Sequence, residues 1–204
     1  MIKGFLFDLD ETIWSSEKAI INALSQTINE KNDIHLGEGR IKNLLRNNFT
    51  FNDVLKKYEV YSLSPYWRNF RKTLNDIKLF FPETINVFDI LKNKDKKIGF
   101  VTSLKREFSV TLLERFGLFN FADTIITPSE CRVPKPNPKS IKMAIKELGL
   151  DPNEVIYIGD TENDMKAAKN AGCLSGLAKW GNYQQISIKL DHVFNHLEDI
   201  LKLT

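Results

Sequence analysis

Residues 2–12 read IKGFLFDLDET, an apolar run that ends in two carboxylates. A nearly continuous apolar run of this kind is typical of a parallel strand that helices cover on both faces. Asp8 and Asp10 are two positions apart, and alternate residues of an extended chain face the same side. The stretch therefore predicts a buried first strand that delivers two carboxylates to a common pocket.

The same alternation of an apolar run and a helical pattern recurs along the rest of the chain. Strands are predicted over residues 97–102, 124–127, 155–159, 174–178 and 191–195, and helices over residues 83–93, 105–116, 138–148, 163–171 and 196–203. Gly117, Gly149 and Gly172 follow three of these helices, where a left-handed residue is favoured. The alternation predicts an α/β fold with a doubly wound, Rossmann-like parallel sheet, whose ligands bind beyond the carboxyl ends of the strands.

Residues 14–80 differ from this pattern because their apolar residues recur at helical spacing without a clear strand. The first such series is Ile20, Ile21, Leu24 and Ile28. The segment is predicted to be a small all-helical cap, inserted into an α/β catalytic core of residues 1–13 and 81–204. Because it begins directly after the first strand, we expect it to act as a lid over the carboxyl edge of the sheet.

The composition is that of an ordinary globular protein, with 42% hydrophobic and 27% charged residues. The net charge of +3 is too small for a dedicated nucleic-acid binder. No run approaches the roughly 18 apolar residues of a membrane span. Two cysteines without CxxC spacing predict free thiols in a reducing compartment. These features predict a cytoplasmic protein that binds neither nucleic acid nor membrane, and they carry no information on its oligomeric state.

Charge is unevenly distributed between the predicted cap and the predicted core. Residues 14–80 carry 11 Lys and Arg against 7 Asp and Glu, a net charge of +4, whereas the remainder carries −1. Arg40, Lys42 and Arg46 fall on one predicted helix, where side chains four positions apart share a face. Two interpretations stay open: one of these cations recognises an anionic group of a ligand, or all three belong to a solvated surface.

Further residues with acid, base or donor chemistry lie at or near the ends of predicted strands. They are Thr102 and Ser103, Lys135 between prolines in VPKPNP, and Asp160 and Asp164. Two close carboxylates need a compensating cation, and carboxylate and carbonyl oxygens favour a hard ion such as Mg²⁺. Taken singly, the acids are explained by a helix N-terminus and the lysine by a surface loop. Their shared placement at strand ends favours one common site.

In these segments the sequence resembles the haloacid dehalogenase superfamily, specifically its phosphatase-type, phosphoglycolate phosphatase-like members with a helical cap inserted after the first motif. Residues 8–12, 100–103, 135–138 and 159–164 are similar, in order, to the four motifs of that superfamily. The resemblance covers nearly all of the predicted core and not the cap. Glu11 departs from the pattern, because glycine is commonest there, but the catalytic positions are intact.

The resemblance implies a Mg²⁺-dependent phosphomonoester hydrolase that acts on a small phosphorylated metabolite. Asp8 would be the nucleophile that forms an aspartyl-phosphate, and Asp10 the general acid and base. Asp10 also disfavours the dehalogenase branch, in which no leaving oxygen needs a proton. Two alternatives remain: a phosphomutase of the same fold, in which cap closure excludes water, and a non-catalytic phosphate-binding or regulatory module.

The resemblance also assigns the binding residues. Thr102, Ser103 and Lys135 would bind the phosphoryl oxygens beside Asp8. Mg²⁺ would be held by Asp8, Asp160 and the backbone carbonyl of Asp10. Asp164 would support the site by orienting Lys135 or a metal-bound water. These motifs do not distinguish phosphoglycolate, nucleoside monophosphates, sugar phosphates and pyrophosphate, since all present the same transferable group.

Overall fold

The computed structural model describes residues 1–46, 50–181 and 186–204. Two compact units make up the chain. The core unit comprises Met1–Trp14 and Leu79–Thr204, and the inserted unit comprises Ser15–Lys78. The assignment of a catalytic core and a cap to these units stays a prediction.

The core unit is built on a parallel sheet. The strands within the described residues are, in order, β1 (Gly4–Phe7), β2 (Trp14–Ser15), β3 (Lys78–Leu79), β4 (Lys97–Val101), β5 (Thr124–Ile126), β6 (Val155–Gly159), β7 (Leu174–Ala178) and β8 (His192–Phe194). One sheet has the order β5-β4-β1-β6-β7-β8, and its neighbouring strands pair in parallel. A second sheet contains β2 and β3. The predicted α/β fold with a Rossmann-like parallel sheet is thereby confirmed.

Helices connect the parallel strands, as the alternating pattern predicts. The α-helices are, in chain order, α1 (Glu17–Asn32), α2 (Glu38–Arg46), α3 (Phe51–Lys57), α4 (Ser64–Lys72), α5 (Thr84–Asn93), α6 (Arg106–Arg115), α7 (Lys139–Leu148) and α8 (Glu162–Ala171). Gly149 and Gly172 end α7 and α8 with left-handed φ values of 66° and 85°. The predicted helix at 196–203 is instead a 3₁₀ helix over Leu197–Leu203.

Burial explains why β1 and β6 are such apolar strands. All residues of both strands are buried, as expected for central strands that are covered on both faces. On one face, Leu6 and Tyr157 belong to a hydrophobic cluster with Ala168 of α8. On the other face, the ring of Phe7 packs on Phe88 of α5, with centroids 5.1 Å apart. The residues that follow these strands therefore project from a rigid support.

The inserted unit has an apolar core of its own. Leu24 of α1 and Phe70 of α4 are buried, and the ring of Tyr66 stacks on Phe51 of α3 with centroids 5.0 Å apart. The sequence indicated no strand between residues 14 and 80, yet β2 and β3 lie at its two ends. Each has two residues, which is too short for a period-two pattern to be visible. A helix with the length and apolar character needed to cross a bilayer is absent from the described part of the chain.

Candidate active site

Three strands of the parallel sheet end at the candidate site. Asp8 directly follows β1, Thr102 directly follows β4, and Asp160 directly follows β6. Because β1 lies between β4 and β6, these three carboxyl ends meet at one edge of the sheet. The topology therefore gathers residues that are up to 152 positions apart in the sequence.

Asp8, Asp160 and Asp164 form a buried carboxylate cluster. One oxygen from each residue lies within 4.8 Å of the others. Asp164 lies in the first turn of α8, where its carboxylate accepts a hydrogen bond of 3.0 Å from the backbone N–H of Thr161. Gly159 leaves room for it, since a Cβ there would lie 2.6 Å from the carboxyl carbon of Asp164. The glycine that ends β6 thus allows the cluster to assemble.

Lys135 provides the positive charge next to this cluster. Its Nζ lies 2.9 Å from Asp8 Oδ1 and 2.6 Å from Asp164 Oδ1. It also donates to the hydroxyl oxygen of Tyr157 at 2.9 Å, and that hydroxyl donates to the carbonyl of Val101 at 2.9 Å. Tyr157 was not predicted as a site residue. A tyrosine within an otherwise aliphatic buried strand was the available signal, because a buried hydroxyl needs a partner.

Burial dominates the electrostatics of the site. It raises the pKa of Asp8 to about 7, a shift that the Lys135 ammonium opposes and the charge of Asp164 increases. The pKa of Asp160 is raised well above its ordinary range because the group is buried and lies near Asp164 and Asp8. For Lys135, burial disfavours the ammonium, but the charges of Asp164 and Asp8 outweigh burial and raise its pKa. Lys135 is therefore expected to carry a positive charge at neutral pH.

The cluster fits a divalent metal ion. Counted by formal charge, three buried carboxylates lie beside one ammonium, a deficit of two positive charges. Carboxylate oxygens are ligands that Mg²⁺ prefers, and its two charges match the deficit. Asp8 and Asp160 are the carboxylates expected to hold it, because Asp164 makes the shorter contact to Lys135, 2.6 Å against 2.9 Å for Asp8, and also binds the backbone N–H of Thr161. The carboxylate of Asp10 is not a member of this cluster, and the metal contact of its backbone carbonyl stays a prediction.

Asp10 lies in the turn after β1, and Trp14 holds its side chain. The indole Nε1 of the fully buried Trp14 donates to Asp10 Oδ1 at 2.9 Å, a contact that the sequence did not reveal. Glu11 has a left-handed φ of 57°, the conformation for which glycine is suited. The indole of Trp180 donates to the carbonyl of Thr12 at 2.9 Å. Two tryptophans therefore fix the turn that carries Asp10.

The predicted hydroxyl donors differ in their surroundings. Thr102 is buried, and its Oγ1 accepts a hydrogen bond of 3.1 Å from the backbone N–H of Leu104. Ser103 is exposed. Within the described ranges, no hydrogen bond links either hydroxyl to the carboxylate cluster. Their predicted contact with phosphate stays a prediction.

The cations singled out in the inserted unit also differ from one another. Lys42 pairs with Glu17 at 2.8 Å, so its charge is already compensated within that unit. Arg40 is exposed. The side chain of Arg46 lies outside the described residues. Recognition of an anion by any of the three stays a prediction.

Removal of one charge from the carboxylate cluster is expected to stabilise the metal-free protein. The pKa of Asp160 is raised on folding by burial and by the charges of Asp164 and Asp8, so the free energy of unfolding falls as pH rises from the ordinary pKa of the group to its raised one. At pH 8 in EDTA, Asp160→Asn should therefore raise the free energy of unfolding by roughly 1–3 kcal/mol and Tm by about 2–10 °C.

Thermal unfolding with and without Mg²⁺ checks this expectation. The wild-type protein should gain stability from Mg²⁺, whereas Asp160→Asn should gain little because a ligand is lost. Asp89→Asn is the matched control, since Asp89 is an exposed carboxylate on α5. A lower Tm for Asp160→Asn than for the wild-type protein, in EDTA at pH 8, would contradict the expectation that repulsion among the carboxylates destabilises the metal-free protein.

Sequence comparisons with known proteins find similarity over most of the chain. The model of the haloacid dehalogenase-like hydrolase family matches residues 5–178. The chain is 28% identical to the pyrophosphatase PpaX of Bacillus velezensis, over 100% of the chain and 96% of that protein. It is 26% identical to the phosphoglycolate phosphatase of Aquifex aeolicus, over 99% of the chain and 96% of that protein.

A solved structure supports the same fold. The haloacid dehalogenase-superfamily hydrolase of subfamily IA from Geobacter sulfurreducens superimposes with a TM-score of 0.82 over 100% of both chains. The sequence identity between them is 19%, so this likeness concerns the fold. The Asp8–Lys135–Asp164 arrangement lies within the segment that the family model matches. The predicted family, including its phosphatase-type branch, agrees with these findings.

Proposed function

Because the chain belongs to the haloacid dehalogenase-like hydrolase family, we propose that it is a Mg²⁺-dependent phosphomonoester hydrolase that acts through an aspartyl-phosphate. The observation that carries the proposal is the buried Asp8 at the end of β1, paired with Lys135 at 2.9 Å and adjacent to Asp160 and Asp164. This arrangement combines a nucleophile, a fixed cation and a place for a divalent ion. Transfer of a phosphoryl group to the protein uses each of these three features.

Asp8 is the proposed nucleophile. One carboxylate oxygen attacks the phosphorus atom, the bond from phosphorus to the leaving oxygen breaks, and an acyl-phosphate forms on Asp8. Lys135 holds one of the Asp8 oxygens at 2.9 Å and so restricts the orientation of the carboxylate. The pKa of Asp8, raised to about 7 by burial in the metal-free protein, means that added positive charge is needed to keep it ionised.

Asp10 is the proposed general acid and base. Its proton passes to the leaving oxygen as the first bond breaks, and its carboxylate then takes a proton from the water that hydrolyses the acyl-phosphate. The hydrogen bond of 2.9 Å from Trp14 Nε1 to Asp10 Oδ1 restricts the orientation of the Asp10 carboxyl group. Trp14 thus orients the group that carries the proton.

Lys135, Thr102 and Ser103 are the proposed ligands of the nonbridging phosphoryl oxygens, whose negative charge must be met by placed donors. Asp8, Asp160 and the backbone carbonyl of Asp10 would hold Mg²⁺. The ion supplies positive charge that offsets the repulsion between an anionic carboxylate and an anionic phosphate. Asp164 keeps Lys135 in place through its contact of 2.6 Å.

The proposed substrate is a small phosphorylated metabolite. Relatives of similar length are named for pyrophosphate and for phosphoglycolate, so these two compounds head the panel to be tested. The buried thiols of Cys131 and Cys173 are free, which suits a reducing compartment such as the cytoplasm. The reaction itself requires no nucleic acid and no membrane.

Phosphate release from p-nitrophenyl phosphate tests the reaction. We expect turnover with Mg²⁺ and its loss in EDTA, with recovery when Mg²⁺ is added back in excess. Phosphoglycolate, pyrophosphate, sugar phosphates and nucleoside monophosphates are then ranked by kcat/KM. Absence of turnover on every compound would contradict the proposal, and isomerisation of a sugar phosphate without phosphate release would favour a mutase.

A further inference from the structure

The Lys135 ammonium has no N–H left for a substrate. A lysine side chain offers three donors. In this structure they face Asp8 Oδ1 at 2.9 Å, Asp164 Oδ1 at 2.6 Å and the Tyr157 hydroxyl at 2.9 Å. A phosphoryl oxygen that binds Lys135 must therefore replace one of these three acceptors.

Asp8 is the acceptor that the reaction replaces. Its carboxylate must turn toward phosphorus to act as the nucleophile, and the phosphoryl group then lies between Asp8 and its present partner. Asp164 and Tyr157 take no part in bond making. Asp164 is fixed by the backbone N–H of Thr161 at 3.0 Å, and Tyr157 by the carbonyl of Val101 at 2.9 Å. These two groups are therefore anchored independently of Asp8.

We propose that Tyr157 is a positioning residue that, together with Asp164, holds the Lys135 ammonium while its third N–H passes from Asp8 to a phosphoryl oxygen. The inference rests on the proposed phosphatase reaction and names a residue that the motif comparison leaves out. No covalent bond of Tyr157 changes. Its hydroxyl accepts from Lys135 and donates its one proton to the closer acceptor, Val101, with Asp164 Oδ1 at 3.2 Å.

The position of Tyr157 in the sheet explains how it links the motifs. Tyr157 lies on β6 in register with Leu6 of β1, whereas Val101 lies on β4 at the other side of β1. The fully buried side chain therefore crosses the face of the central strand to reach the end of β4. Val101 is also the residue directly before Thr102. One hydroxyl thus connects the lysine to the strand end that presents the phosphate-binding hydroxyls.

The variant Tyr157→Phe deletes only this hydroxyl. We expect the dissociation constant for orthophosphate, measured by titration calorimetry with Mg²⁺, to rise roughly 10-fold and kcat to fall roughly 10-fold, since a misplaced donor weakens phosphoryl binding. The stabilisation by Mg²⁺ alone should be unchanged. Tyr58→Phe is the matched control, because its hydroxyl is buried and makes no hydrogen bond to any described residue. That control should leave phosphate affinity and kcat unchanged.

A double-mutant cycle separates positioning from a merely structural role. If Tyr157 acts through Lys135, then Tyr157→Phe should have much less effect on orthophosphate affinity in a Lys135→Met background. Equal losses in both backgrounds, or phosphate affinity and kcat within twofold of wild type for Tyr157→Phe alone, would overturn the proposal. Lack of turnover by the wild-type protein would count against the proposed function instead, and the orthophosphate titrations would still decide the role of Tyr157.

Discussion

Asp8→Asn is expected to lower kcat/KM on every phosphomonoester by on the order of 10⁴-fold or more. An amide oxygen is a poor nucleophile, and the acyl-phosphate cannot form on asparagine. The substitution preserves the shape of the side chain and an oxygen that can accept the hydrogen bond from Lys135, now 2.9 Å from Asp8. The loss is therefore chemical in origin and is measured as phosphate release under substrate saturation and at low substrate.

Stability measurements on the same variant are the control for unfolding as the cause of this loss. Because burial raises the pKa of Asp8 to about 7, a neutral side chain at this position should stabilise the metal-free protein at pH 8. Beryllium fluoride with Mg²⁺ should raise the Tm of the wild-type protein, as a mimic of the acyl-phosphate, and leave that of Asp8→Asn unchanged. A variant that keeps more than a few per cent of wild-type activity would show that Asp8 is not the nucleophile.

The sheet could be predicted from sequence because its strands are short apolar runs with sharp ends. The bounds predicted for the strands at 155–159 and 174–178 equal those observed for β6 and β7. Both faces of these strands are covered, so nearly every residue must be apolar and the run itself defines the element. β2 and β3, with two residues each, are too short to carry any such signal.

Only part of the candidate site could be predicted from the sequence, because some of its contacts join residues that become neighbours only in the folded chain. The sequence pattern did identify the charged residues of the site. Asp8 and Asp160 follow predicted strands, and Lys135 lies in a loop constrained by prolines on both sides. The hydrogen bonds of Tyr157 to Lys135 and of Trp14 to Asp10 depend on which strands and turns are neighbours in space. From sequence alone, aromatic residues in apolar segments are assigned to the hydrophobic core. The hydrogen-bond partners of their polar atoms can be identified only in the folded structure.

Gly181 is another residue whose role could not be predicted from the sequence, because the reason for a glycine at this position is visible only in the folded structure. A Cβ at this position would lie 1.6 Å from the carbonyl oxygen of Glu11, in the turn that carries Asp10. No side chain can be placed so close to a backbone atom without moving the backbone. The neighbouring Trp180 is bound to the carbonyl of Thr12 at 2.9 Å, so the 180–181 segment cannot retreat without losing this contact.

Gly181→Ala is therefore expected to displace the turn and to impair both folding and catalysis. We expect a loss of about 1–3 kcal/mol in the free energy of unfolding, as for other overpacked sites. Because Asp10 moves with the turn, kcat should also fall by about 100-fold in protein that is still folded at the assay temperature. Chemical unfolding and steady-state kinetics on the same preparation measure the two effects separately.

Gly39→Ala is the matched control for this substitution. Gly39 lies within α2, and a Cβ there would meet no atom within 4 Å. Alanine should therefore be neutral or should stabilise the helix by roughly 0.5–1 kcal/mol, with unchanged kcat. If Gly181→Ala matched this control in both measurements, the contact between Gly181 and the Glu11 carbonyl would have no part in holding Asp10. A loss of kcat without loss of stability would still support it, since a small shift of the turn is enough to misplace the general acid.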